Sequence, residues 1–133
     1  MINQSADELQ QRTESIEAGY EFMLAYAAQG HITDQGLAPD RNIRKYLQDI
    51  NAALEGLAEI SVAAAERKNP DTFNNYRSFL EALESDAVKA QGAIKLVLAQ
   101  AAISSQLVDN LNASIHLRAL LTDLFVLDEA LKS

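Results

Sequence analysis

Nine uncharged residues spaced alternately three and four apart constrain this chain more than any other feature: Phe73, Tyr76, Leu80, Leu83, Ala87, Ala90, Ile94, Val97 and Ala101. A stripe that repeats every 3.5 residues for several heptads fits a long helix packed along neighbouring helices, and it fits no strand. A helix over 70–102 would run about 50 Å at 1.5 Å per residue. The ends of the stripe are large and its centre is small, so close approach of a neighbour is expected at the centre.

Three further stripes surround it. Ser5 and Glu8 have the spacing of a capping box, in which side chain and backbone satisfy each other's free N–H groups. Leu9, Ile16, Tyr20, Met23 and Ala27 follow at helical intervals until Gly30, a natural stop. A second helix is expected from Pro39 or Asp40, with a seam of Ile43, Leu47, Ile50, Leu54, Leu57, Ser61 and Ala64. Arg67-Lys68-Asn69-Pro70 closes it, and Asn69 is placed to cap the long helix that follows. Between Ala101 and Leu107 there is no Gly or Pro, and only Ser104 and Ser105 offer a cap. A tight turn at 102–105 is expected there. The predicted fold is therefore all-α: one antiparallel four-helix bundle over 1–133, with helices at 5–29, 39–68, 70–102 and 105–132 and residues 1–4 frayed. Only 5 Gly and 2 Pro in 133 residues agree with few, long elements.

Composition narrows function mainly by exclusion. A net charge of −8 and few clustered cations argue against nucleic acid as a partner. Without cysteine there is no disulfide, thiolate nucleophile or sulfur-bound zinc. The longest uncharged run, 96–108, is too short to span a bilayer, so no membrane partner is expected. Neither a basic start nor an apolar leader is visible, and the expected setting is cytoplasmic.

Candidate chemistry is sparse. Di-iron bundles use Glu-x-x-His pairs, whereas Ala28 and Ala113 stand three residues before His31 and His116. His116 and Asp123 fall on a polar stripe with Asp109 and Asn112, a metal or proton-responsive arrangement whose plainer reading is a wet helix face. Glu14, Glu17 and Glu21 make an acidic ridge beside Tyr20, again most simply a solvated face. Tyr20 and Tyr76, with the small centre at Ala87 and Ala90, are the residues that would line a cofactor or small ligand between helices. Tight packing is the plainer reading, because empty cavities cost stability. No catalytic triad, phosphate loop or metal motif is present, so neither catalysis nor a cofactor is expected. The loop at 30–40 is the one irregular surface, with Ile32 and Leu37 expected to tuck onto the core.

The last helix carries more apolar residues than one bundle face uses, with seven between Leu117 and Leu127. Leu120, Phe125, Val126 and Leu127 are therefore the expected interface, and a two-fold homodimer the expected assembly. The function read from the sequence is a non-enzymatic interaction or assembly module working through its helix faces and the 30–40 loop. The rival is a bundle that binds a small ligand or cofactor.

Overall fold

The computed structural model describes residues 3–38 and 42–132. Among them helix is the only regular secondary structure, and there is no strand. The segments are α1 (Gln4–Ala28), α2 (Ile43–Leu54), α3 (Leu57–Lys68), a 3-10 turn (Pro70–Tyr76), α4 (Arg77–Leu98), α5 (Ser105–Ala113) and α6 (His116–Lys132). The stripe that organises the sequence does line the core. Leu80, Leu83, Ala87, Ala90, Ile94 and Val97 are all buried, while Phe73 and Tyr76 are only partly covered and Ala101 lies beyond the helix end. α1 packs on α2, α3 and α5, and α4 packs on α6, α2 and α3.

The four unbroken helices expected are not what forms, because two of them break. The helix expected at 39–68 stops at Leu54 and restarts at Leu57, since Gly56 takes the left-handed conformation at φ +70°. Carbonyls freed at that break are met from another helix: Arg12 on α1 donates to the carbonyls of Ala53 and Glu55. The expected start at Pro39 or Asp40 lies outside the described residues, and α2 is capped by Asn42, whose side chain accepts from the Arg44 N–H at 3.0 Å. The helix expected at 105–132 breaks at Ser114–Ile115. There Ile115 adopts φ +63°, an unfavourable conformation for a β-branched residue, with its side chain half exposed.

Both ends of the long third helix also differ from expectation. Residues 70–76 wind as a 3-10 turn, and Asn69 donates to the Tyr76 hydroxyl at 3.1 Å rather than capping. α4 ends at Leu98 rather than at 102, so the turn expected at 102–105 falls at 99–104, and the Ser104 hydroxyl caps α5 by accepting from the Leu107 N–H at 3.0 Å. At the other end, α1 begins earlier than expected, at Gln4. Its cap is Asn3, which accepts from the Ala6 N–H at 3.1 Å and donates to the Ala64 carbonyl at 3.2 Å. Glu8 of the expected capping box pairs instead with Arg12 at 3.0 Å. Gly19 earns its place by packing: a Cβ there would stand 2.6 Å from the buried Ile50 side chain.

Candidate functional site

An apolar groove open to a partner lies between the first half of α1 and the last half of α6. α6 packs mainly on α4 and meets α1 over a shorter seam, which leaves a groove of about 350 Å³. Its floor is apolar, from Leu9, Leu124, Phe125 and Leu131. Leu9 and Leu124 are buried, while Phe125 keeps 43% of its surface exposed. Its rim carries Asp7, Glu14, Glu17 and Asp128 against one cation, Lys132. Lys132 is already engaged with Asp128 at 2.9 Å. Among the described residues no ion pair neutralises Asp7, Glu14 or Glu17; Glu14 accepts only from the Gln10 amide at 3.2 Å. The wet acidic ridge expected at Glu14 and Glu17 thus borders an apolar floor, which is the part a one-helix reading of the sequence misses.

A second feature is a carboxyl pair on the α4–α6 seam. Asp123 faces Asp86, and its Oδ2 is buried without a hydrogen-bond partner. Two ionised carboxylates supply no donor to each other, whereas a proton on the pair does. Burial, followed by the hydrogen bond to Asp86 and its charge, raises the Asp123 pKa to about 7. Asp86 was not singled out by sequence. The available signal was faint: each aspartate sits one position before a buried stripe residue, Ala87 or Leu124.

The loop end is organised differently. Asp34 accepts from the Ile103 N–H at 2.8 Å and from Arg44 Nε at 3.1 Å. Arg44 also donates to the carbonyls of Leu98 and Gln100, both at 2.9 Å, and so caps α4 from another helix. Burial raises the Asp34 pKa, but these hydrogen bonds and the Arg44 charge outweigh it, and the carboxyl titrates below its ordinary value. Tyr26, buried on α1, donates to the Ile103 carbonyl, and burial followed by the Asp34 charge raises its pKa. Ser105 joins the loop at both ends, its hydroxyl accepting from the His31 N–H and donating to the Tyr26 carbonyl. Leu37 packs on the core as expected. Ile32 does not, and stands 88% exposed.

The other residues named from sequence are dispersed. Tyr20 donates to Asn112 Oδ1 at 2.8 Å, tying α1 to α5, while the Tyr76 hydroxyl is held by Asn69 at the opposite end. Ala87 and Ala90 lie in the packed core of α4. His116 opens α6, and the break before it separates its helix from Asp109 and Asn112, so the expected polar stripe is not continuous. Among the described residues no three His, Asp or Glu side chains come together as a metal-ligand set, and no helix is long and apolar enough to cross a membrane. Of the expected interface residues, Leu120 and Leu127 are buried by the chain's own core, a correction that leaves Phe125 and Val126 at the surface. Phe125, Val126 and Leu127 turn successively by about 100°, so the three cannot all face the core, and it is Leu127 that does. No protein-family model matches the chain, and no match is found among curated proteins or solved structures.

Proposed function

We propose that this protein is a non-enzymatic interaction module, an antiparallel four-helix bundle with two broken staves that receives a partner in the α1–α6 groove. The observation that carries the reading is Phe125, an aromatic side chain left 43% exposed over an apolar floor. Aromatic anchors in such settings supply much of the binding energy at protein interfaces. The loop at 30–40 recedes in this reading, because its His31 N–H and Asp34 carboxylate are spent on Ser105, Ile103 and Arg44. A cytoplasmic setting remains part of the proposal.

The cofactor-binding alternative has less support, since Tyr20, Tyr76, Ala87 and Ala90 do not converge on one cavity. The apolar excess of α6 also suggests a two-fold homodimer through Phe125 and Val126, a second reading that competes with a partner of another kind for Phe125. Native mass spectrometry of protein purified from its own host tests the proposal. The expected result is a co-purifying protein chain, this one or another, that Phe125→Ser releases. A stoichiometric small molecule in its place would overturn the interaction reading.

A further inference from the structure

The geometry points to a basic amphipathic helix of another protein as the occupant of the α1–α6 groove. This inference rests on the groove being a docking site and adds the chemical class of what docks there. The groove follows α1 from Ala6 to Glu17, about 16 Å or three helical turns. That is the length over which a short helix lays two or three apolar side chains into a hydrophobic trough. The floor offers Leu9, Phe125 and Leu131 as apolar partners. Asp7, Glu14 and Glu17 line up along the α1 rim at intervals of seven and three residues, so they share one face of that helix.

Charge selects among the possible occupants. With Asp128 and Lys132 paired, the rim presents three carboxylates without cations, on a chain of net charge −8. A second copy docking groove to groove would set Asp7, Glu14 and Glu17 near their own counterparts. Like charges so placed oppose association, whereas Lys and Arg flanking an apolar stripe are drawn in. Complementary charge also speeds encounter and makes binding depend on salt.

The test uses the full chain, isotope-labelled, and a peptide of about fourteen residues, three to four helical turns, with Leu along one stripe and Lys elsewhere. Two controls accompany it: the same peptide with Leu replaced by Ser, and one with Lys replaced by Glu. The expected result is amide shift changes confined to 6–17 of α1 and 124–132 of α6. Affinity should fall about tenfold between low and moderate salt, and at least about tenfold in Glu14→Gln/Glu17→Gln and separately in Phe125→Ser. The Gln variant alters only exposed side chains, so it retains the fold if Phe125→Ser does not. Equal binding by the Ser-substituted peptide would overturn the inference, because charge alone would then suffice. Equal seating of the Glu-substituted peptide in the groove would overturn the basic partner while leaving the docking site intact. If no peptide shifts the groove amides, or if light scattering finds a dimer that protects them, the inference fails. Failure of every peptide together with a strict monomer removes the groove reading as well.

Discussion

At the loop end, Asp34 lies with its side chain 7% exposed and its oxygens held by the Ile103 N–H and Arg44. On the α4–α6 seam, Asp123 faces a second carboxylate and its buried Oδ2 has no donor. Both are aspartates pressed against helices of the same chain. The first is a strut, because the charged form is the one its neighbours were placed to bind. The second is a liability whenever it is charged. The difference teaches that burial alone does not set the role of an ionisable group; the donors within reach do.

The sharpest way to break the comparison is to remove the cation from the ligated site. Arg44→Ala leaves Asp34 buried and unpaired and frees the carbonyls of Leu98 and Gln100. Stability at pH 7 should fall by about 3 kcal/mol, as for other pairs broken from one side. Urea unfolding followed by circular dichroism measures it, and a loss under about 1 kcal/mol would mean that solvent replaces the clamp.

Asp34→Asn probes the same site from the other side and adds a pH signature. The folded pKa of Asp34 lies below its unfolded value near 3.9, so its charge stabilises the fold above about pH 4. That stabilisation is lost as pH falls through the folded pKa. The variant should lose about 2 kcal/mol at pH 7, and the gap from wild type should narrow in acid. A gap that stayed constant down to pH 2 would show that geometry, not charge, holds the loop.

Asp123→Asn should act with the opposite sign. A folded pKa of about 7 against an unfolded value near 3.9 means this group favours the fold below about pH 4. Its contribution declines as pH rises and is gone above about pH 7. Since Asp123 is partly exposed, solvent screening reduces the effect, and a gain of about 1–2 kcal/mol at pH 8 is expected. At pH 4 the variant and wild type should coincide. Melting temperatures across pH 4–8 decide the matter, and an Asn variant less stable at pH 8 would show that Asp123 has a donor after all.

The smallest effect concerns the entry to α6, which follows directly on a strained residue. Ile115→Gly removes the left-handed penalty of a β-branched side chain that is already half exposed. A gain of about 0.5–1 kcal/mol should result, the strain relieved exceeding the backbone entropy that Gly adds to the unfolded chain. A loss of stability on thermal melting would show that the exposed half of Ile115 is not the half that matters.

Much of the architecture was legible in the order of residues. The α4 stripe, the seams of α1 and α2, the stop near Gly30 and the Ser104 cap all depend on periodicity and local hydrogen bonding, which a sequence carries directly. The excess of apolar residues on α6 also pointed to a surface phenylalanine and valine, although it did not separate them from Leu120 and Leu127, which the core absorbs. What periodicity cannot convey is which helix supplies the missing partner of another.

Arg12 meeting the broken end of α2, Arg44 capping α4, and Asp34 accepting from Ile103 are contacts across 41 to 69 residues of chain. They were decided only when the helices came together. The break at Ile115 belongs with them, for nothing in Ser114-Ile115-His116 forbids a continuous helix; a left-handed isoleucine persists where surrounding packing outweighs its strain. The facing of Asp86 and Asp123 is of the same kind. Each aspartate alone reads as a wet residue beside a buried stripe, and only the register of α4 against α6 sets the two together. Local periodicity therefore determined that the chain is helical and which faces are apolar. Tertiary register decided where helices end, which charges are matched, and where an aromatic side chain is left over a groove.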